Sequence, residues 1–142
     1  MIYLDTSWLV KLYVDEPSAA AVRAIVADDV AIAVSELSYI EFHAALARRG
    51  REGSIAGRAA ARLVSRFRSE WGDRTRIGMS DEVVTRAAAL VSAHPLRSLD
   101  AIHLASALLV ATHAPERMRF GAADARLLAA ARTEGLAIAG PT

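Results

Sequence analysis

Two acidic residues follow strand-like segments of the sequence and point to phosphoryl chemistry. Asp5 comes directly after an apolar run at residues 2–4, and Asp124 follows a second such segment, at 118–121, after a short turn. The carboxyl ends of parallel strands meet at one edge of an open α/β sheet, and such sheets bind their ligands there. A carboxylate at that edge needs a cation or hydrogen-bond donors to offset its loss of hydration.

Two further acids interrupt apolar helical segments that must cover the same sheet. Glu41 lies between Ile40 and Phe42, and Asp100 stands at the start of the most apolar helical segment of the chain. Four carboxylates brought to one edge would repel one another unless divalent cations neutralised them. Oxygen ligands suit Mg²⁺ or Mn²⁺, which activate water and hold a scissile phosphate. The four acids therefore predict metal-assisted phosphoryl chemistry.

Each of these acids also has a purely structural explanation. Asp5, Asp100 and Asp124 stand near helix starts, where a carboxylate accepts hydrogen bonds from backbone N–H groups. The two hydroxyl residues after Asp5 could cap the first helix in the same way. A buried glutamate such as Glu41 is either paired with an arginine or part of a site. Taken singly, the acids leave capping and chemistry both open.

Strand and helix patterns alternate along the chain and predict an α/β fold. Five short apolar segments are predicted as strands, at residues 2–4, 30–34, 75–79, 118–121 and 136–139. Strands that alternate with helices imply right-handed crossovers and a mainly parallel sheet covered on both faces. We therefore expect a three-layer α/β/α sandwich formed by a single domain, residues 1–142.

Capping residues and helix breakers set the predicted helix boundaries. Pro17 is predicted to open the second helix and Gly50 to stop the third. Ser80 is predicted to cap the helix that follows the third strand, and Pro115 to end the apolar helix that begins at Ser98 or Asp100. The remaining helical segments are 6–13, 53–71 and 123–132, the last capped by Gly135.

The amino-acid composition limits the cellular compartments and the binding partners that suit this chain. The chain has no cysteine, so thiolate metal sites are excluded and a reducing compartment is permitted. No apolar stretch approaches the roughly 20 residues that span a bilayer, so we expect a soluble cytoplasmic protein without membrane contact. Lys11 is the only lysine, so the other basic residues are arginines, many of them within 48–76 and 117–132. Arginine suits phosphate groups, although a bias in genomic base composition would also explain the excess.

Four segments carry a resemblance to a known family. They are residues 4–7, 35–41, 99–107 and 120–128, and the third of them, which reads Leu-Asp-Ala-Ile-His-Leu-Ala-Ser-Ala, is the most specific. With these motifs the chain resembles PIN domains, and most closely the VapC-type ribonuclease toxins of bacterial toxin–antitoxin modules. The resemblance covers essentially the whole chain, with its motifs in order.

The resemblance implies a PIN-like nuclease that cleaves RNA endonucleolytically with Mg²⁺, for which Mn²⁺ may substitute. It implies a homodimer that a cognate antitoxin inhibits. By position, Asp5 and Asp100 become the metal ligands, and Glu41 and Asp124 complete the catalytic acids. The expected substrate-binding hydroxyls are those of Thr6 and Ser7. One departure is Ala122, because members often carry a hydroxyl residue two positions before the last acid.

Arginines close to the motif acids are predicted to guide the RNA backbone into the cleft, namely Arg48, Arg49 and Arg97. The apolar residues of the first helix could serve as contact surfaces or as core; these are Trp8, Leu12 and Tyr13.

Other chemistries fit the sequence less well. His43 and His103 lack the paired spacing of histidine metal sites and are interpreted as packing or supporting residues, while His94 and His113 lie at helix ends. Aspartyl-phosphate phosphatases need a second acid where this chain has Ser7, and no glycine-rich phosphate loop is present. The alternative outside enzymes is a catalytically inactive PIN-like module that binds RNA or protein.

Overall fold

The fold is organised around five parallel strands. A computed structural model describes residues 1–29, 31–114 and 118–140; Val30 of the predicted second strand, the predicted stop at Pro115, and Arg117 lie outside these ranges. The sheet has the order β3-β2-β1-β4-β5, and every pairing is parallel. The strands are β1 (Ile2–Leu4), β2 (Ile32–Ser35), β3 (Thr75–Ile77), β4 (Arg119–Gly121) and β5 (Ala137–Ile138).

Helices cover both faces of the sheet, so the predicted α/β/α sandwich is confirmed. Side chains alternate across the strands: Tyr3 packs with the helices of one face, and its neighbours Ile2 and Leu4 pack with those of the other. The helices are α1 (Thr6–Lys11), α2 (Ala19–Ala27), α3 (Leu37–Glu52), α4 (Gly57–Glu70), α5 (Asp81–Ala93), α6 (Ser98–His113) and α7 (Ala125–Thr133). Helices α1 to α4 supply the core on one face, and α5 to α7 supply it on the other.

Strand β1 lies at the centre of the sheet and is fully buried along its length. This matches the prediction from its uninterrupted apolar run, since a strand covered on both faces needs no polar alternation. The Asp5 N–H donates to the Gly121 carbonyl at 3.0 Å, which joins the ends of β1 and β4. The central position of β1 thus brings Asp5 to the carboxyl edge of the sheet.

Several predicted helix ends are correct, but the stop at Gly50 is wrong. Ser80 caps α5 by accepting from the Val83 N–H, and Gly135 follows α7 with a φ of +89°. Helix α3 continues through Gly50 and ends where Gly53 takes a φ of +76°, in the left-handed region that glycine adopts without strain. Helix α3 is therefore about one turn longer at its carboxyl end than predicted.

The start of α2 also differs from expectation, whereas the apolar residues at and after α1 take the core role, one of the two that the sequence left open. Helix α2 begins at Ala19, two residues after Pro17, because Ser18 takes a left-handed φ of 70°. Trp8 and Tyr13 are buried in the core and Leu12 packs against it, so they do not form an exposed contact surface. No helix among the described residues has both the length and the apolar character needed to cross a bilayer.

The close approach of Gly121 to Trp8 generates a stability prediction. A Cβ atom at Gly121 would lie 2.5 Å from the Trp8 ring, so we expect Gly121→Ala to displace this buried ring and lower the free energy of unfolding by about 1–3 kcal/mol. Urea denaturation followed by circular dichroism measures the change.

Gly50→Ala is the matched control for Gly121→Ala. A Cβ at Gly50 meets nothing within 4 Å, and alanine favours the helix by about 0.5–1 kcal/mol, so this variant should be as stable as the wild type or more so. Equal stabilities for the two variants would contradict the packing argument.

Candidate active site

All four acids line one open cavity at the carboxyl edge of the sheet. Its volume is about 520 Å³. Asp5 and Asp124 follow β1 and β4, while Glu41 and Asp100 reach the cavity from α3 and α6. The lining residues are Asp5, Thr6, Ser7, Glu41, Arg48, Arg97, Asp100, His103, Ala123 and Asp124. The fold thus brings together the six residues predicted as metal, catalytic or substrate-binding residues, and also Arg48 and Arg97, whereas Arg49 pairs with Glu16 outside this lining.

Asp5 caps helix α1 and also faces the cavity. Its Oδ1 accepts hydrogen bonds from the Ser7 hydroxyl at 2.6 Å and from the Trp8 N–H at 3.0 Å. Among the described residues, no hydrogen bond reaches its Oδ2. Burial raises the pKa of Asp5, and the negative charge of Glu41 adds to the rise, while His103 and the two donors oppose it. The capping and site hypotheses are therefore compatible for this residue.

Ser7 links the two strand ends that carry Asp5 and Asp124. Its hydroxyl donates to Asp5 and accepts from the Ala123 N–H at 3.1 Å. Asp124, next in the chain, caps α7 by accepting from the Leu127 N–H at 2.9 Å through Oδ1. Both aspartates are thus oriented by backbone N–H groups and keep a second carboxylate oxygen beside the cavity.

Glu41 is held by a histidine and a threonine, and it forms no salt bridge with an arginine in the described part of the chain. Its Oε1 lies 2.7 Å from His103 Nε2 and 2.7 Å from the Thr6 hydroxyl. Burial pushes the pKa of Glu41 upward, but the interactions with His103 and Thr6 outweigh it and hold the pKa below its usual value. The Thr6 hydroxyl also lies 3.0 Å from the Ser38 hydroxyl. Glu41 is therefore an anchored, ionised carboxylate.

Tyr3 extends this network into the core, and no local sequence pattern predicts its role. The Tyr3 hydroxyl lies 3.0 Å from His103 Nδ1, and both side chains are almost wholly buried. Because ionised Glu41 only accepts hydrogen bonds, His103 Nε2 must carry the proton of the contact between them. Burial raises the pKa of Tyr3 well above its ordinary value, so the hydroxyl keeps its proton. The result is a hydrogen-bonded chain that joins Tyr3, His103 and Glu41.

Asp100 differs from the two aspartates that cap helices. It lies in the first turn of α6, whose N-cap is Arg97, so the capping hypothesis is wrong for this residue. Its Oδ2 accepts from Arg97 Nε at 3.3 Å, and the Arg97 side chain is 82% exposed. An exposed ion pair of this kind contributes little stability, about 0–1 kcal/mol. Asp100 is thus held far more loosely than Asp5 or Glu41.

The other histidines lie away from the cavity lining. His43 Nδ1 contacts the Tyr39 carbonyl at 2.7 Å, and its ring packs against Tyr39 and Phe67. His94 pairs with Glu134 at 2.7 Å between α5 and the end of α7. His43 thus has the packing role that the sequence indicated, and His94 lies at the end of α5 as expected, where it also pairs with Glu134.

The donor chemistry of the cavity fits a hard divalent cation, but the carboxylates do not form a closed cage. Within the described residues, no group of three or more histidine, aspartate or glutamate side chains is arranged to hold a metal ion. Mg²⁺ is usually bound by one or two carboxylates together with waters and substrate phosphates, so it needs no such cage. The Oδ2 atom of Asp5 and the loosely paired carboxylate of Asp100 provide two such carboxylate ligands. Ala122, the one departure from the expected motif, is buried and has no side-chain oxygen to offer.

Comparisons with known proteins identify the family to which this architecture belongs. The family model described as PIN domain matches residues 2–112, so the chain belongs to the PIN-domain family. Ribonuclease VapC45 of Mycobacterium tuberculosis (strain CDC 1551 / Oshkosh) is 33% identical over 110 residues, covering 78% of this chain and 76% of the relative. Ribonuclease VapC46 of Mycobacterium tuberculosis (strain ATCC 25618 / H37Rv) is 33% identical over 141 residues, covering 99% of this chain and 98% of the relative.

A solved structure shows the same fold. A chain of a toxin–antitoxin complex from Klebsiella pneumoniae superposes with a TM-score of 0.65 at 22% identity, over 91% of both chains. The resemblance to PIN domains of the VapC type, first inferred from four short motifs, is confirmed.

The raised pKa of Asp5 generates a stability prediction with a defined sign. An acid whose pKa is raised by folding destabilises the protein once it ionises, and the cost grows as the pH rises above the unfolded pKa of about 4. Asparagine keeps the Oδ1 acceptor without the charge. We therefore expect Asp5→Asn to melt at the same temperature as the wild type or higher at pH 7 without divalent cations, with the gain disappearing toward pH 4.

Asp29→Asn is a control for which we expect the opposite change in melting temperature. Asp29 is nearly buried and pairs with the N-terminal amine and with Arg119, which hold its pKa below the usual value despite burial. Its ionised form stabilises the fold above the unfolded pKa, so Asp29→Asn should lower the melting temperature at pH 7. A lowered melting temperature for Asp5→Asn as well would mean that Asp5 is mainly structural.

Proposed function

We propose that this protein is a divalent-cation-dependent endoribonuclease and the toxin of a toxin–antitoxin pair. The observation that carries the proposal is the convergence of Asp5, Glu41, Asp100 and Asp124 on one cavity at the carboxyl edge of the sheet. The names of its VapC relatives, which are ribonucleases, support RNA as the substrate. An RNA substrate of this kind implies action in the cytoplasm.

Asp5 and Asp100 are the residues that would hold the cation, Mg²⁺ or Mn²⁺. Both side chains line the same cavity. The carboxylate of Asp5 is oriented by the Trp8 N–H, and that of Asp100 is paired loosely with Arg97. When bound, a divalent cation lowers the pKa of water and stabilises the charge that develops on the phosphate oxygens.

The remaining residues position the reactants by hydrogen bonding. Glu41 uses Oε1 for His103 and Thr6, which leaves Oε2 to accept a hydrogen bond from the attacking water. Because its pKa is lowered, Glu41 orients this water without removing its proton in the resting state. Asp124 contributes its second carboxylate oxygen on the opposite wall. Thr6 and Ser7 lie between these acids and contact the bound RNA in this proposal.

The proposal includes a homodimer and a cognate antitoxin. One similar fold comes from a toxin–antitoxin complex, which makes a protein inhibitor plausible for this chain too. Exposed apolar side chains favour a protein contact on the face formed by α5 and α6, where Met79 is 49% and Val84 48% exposed. These two residues line a groove of about 220 Å³.

Cleavage of RNA in the presence of a divalent cation is the first test. The purified wild-type protein should cut mixed single-stranded RNA with Mg²⁺ or Mn²⁺ and lose activity in EDTA. Asp100→Asn should reduce the cleavage rate by about 100-fold or more, because one cation ligand loses its charge. Gel analysis of the fragments measures the rate.

Asp81→Asn is the matched control, since Asp81 also lies in the first turn of a helix but outside the cavity lining. It should cleave like the wild type. Intact RNA after incubation of folded wild-type protein with both cations would favour the alternative, an inactive RNA- or protein-binding module.

Tyr3 and His103 are proposed as positioning residues that act through Glu41. Tyr3→Phe removes only the hydroxyl that fixes the His103 ring, so we expect kcat to fall about 3- to 10-fold with KM unchanged. In a His103→Gln background, Tyr3→Phe should have no further effect, because the link to Glu41 is already altered.

Tyr39→Phe is the control for Tyr3→Phe. It removes a hydroxyl that accepts from Arg68 outside the cavity lining, and its kinetics should match the wild type. If Tyr3→Phe reduced kcat equally in both backgrounds, its role would be general packing and not positioning.

A further inference from the structure

A second cavity opens beside the acids and shares part of their wall. Its volume is about 430 Å³, and it extends from the acid cavity along α1 and α3. The residues that line both spaces are Thr6, Ser7, Glu41, Arg48 and Ala123. We call this second space the side groove. It is continuous with the place where the scissile phosphate would lie.

The floor of the side groove is apolar and made of small side chains. Val10 of α1 and Ala44 and Ala45 of α3 form this floor, and Leu99 lies at its rim with 46% of its surface exposed. An apolar floor favours contact with a weakly polar group such as the face of a nucleobase. Its volume falls within the range of small-ligand pockets, about 300–1,000 Å³.

Three basic residues line the side groove, but two of them are engaged. Lys11 donates to Glu16 at 3.1 Å and Arg49 donates to the other oxygen of Glu16 at 2.6 Å, a contact that joins α1 to α3. Arg48 is exposed and forms no salt bridge with any described residue. It also lies where the two cavities meet. A guanidinium in that place is suited to bind a backbone phosphate.

We propose that the side groove binds the nucleotide next to the scissile phosphate of a single-stranded RNA. Arg48 binds the phosphate that leads from the acid cavity, and the base packs on Val10, Ala44 and Ala45. The Lys11–Glu16–Arg49 contact links the walls of the groove. This inference rests on the proposed ribonuclease function. Continuity with the acid cavity favours an RNA strand over a protein segment as the occupant.

The test is RNA binding without cleavage. A fluorescently labelled single-stranded RNA is titrated in EDTA, and its anisotropy gives Kd. Ala44→Leu should weaken binding by about 5-fold or more, because the larger side chain fills the floor of the groove. Ala47→Leu is the same change at another exposed alanine of the same helix, three residues further along and outside the groove lining, and should leave Kd unchanged.

The salt dependence of Kd separates the phosphate contact from the base contact. Arg48→Ala should weaken binding and reduce the slope of log Kd against log salt concentration by about 0.7, the value for one phosphate contact with a single strand. Arg51→Ala removes an exposed charge from the same helix outside the groove and should leave the slope unchanged. Ala44→Leu should weaken binding at an unaltered slope.

The outcomes distinguish this proposal from the proposed function. If the wild type cleaves RNA but Ala44→Leu and Ala47→Leu bind it equally, the side groove is not an RNA subsite and is left to a protein partner. If Ala44→Leu weakens binding but the wild type does not cleave, the subsite stands and the nuclease assignment fails. Equal salt slopes for Arg48→Ala and Arg51→Ala would overturn the phosphate contact.

Discussion

The burial of the Asp5 carboxylate beside Glu41 is the constraint on which the site depends. Asp5 cannot withdraw to solvent, because it ends the central strand and its backbone is bonded to β4. Two donors oriented by the start of α1 therefore stabilise it, while a histidine and a threonine stabilise Glu41. Each negative charge at this edge has its own local partner, and those partners fix the shape of the cavity.

The sequence predicted the fold because its signals were local and mutually consistent. Alternating strand and helix patterns gave the parallel sheet, the unbroken apolar run gave the buried β1, and Ser80 marked the start of α5 correctly. The end of α3 could not be chosen locally, because Gly50 and Gly53 are both suitable stops. The direction in which the chain leaves toward α4 decides between them, and only Gly53 takes the left-handed conformation. Tyr3 and His103 are 100 residues apart, so no local pattern linked them.

Helix capping and a role in the site are two explanations of the acids. For Asp5 and Asp124 the geometry is compatible with both. Asp5 and Asp124 each use one oxygen to cap a helix, and that bond fixes the direction of the other oxygen. A capped carboxylate is therefore better preorganised than a free one. Asp100 does not cap its helix, and its pairing with an exposed arginine gives it no strong structural role. Its presence in the cavity is the part of the acid cluster that capping cannot explain.

The arrangement of partners also explains why crowded acids need not form a closed metal cage. In a protein without substrate, a cage of four bare carboxylates would carry a large repulsion with no compensation. Here the acids are held individually, by backbone N–H groups, by His103 and by the weak pair with Arg97. Under the proposed function, a cation would be held by Asp5 and Asp100 together with oxygens of water and of the RNA phosphate. Separation of Asp100 from the exposed Arg97 costs little, so the least constrained acid is the one that can adjust its position most readily to a cation.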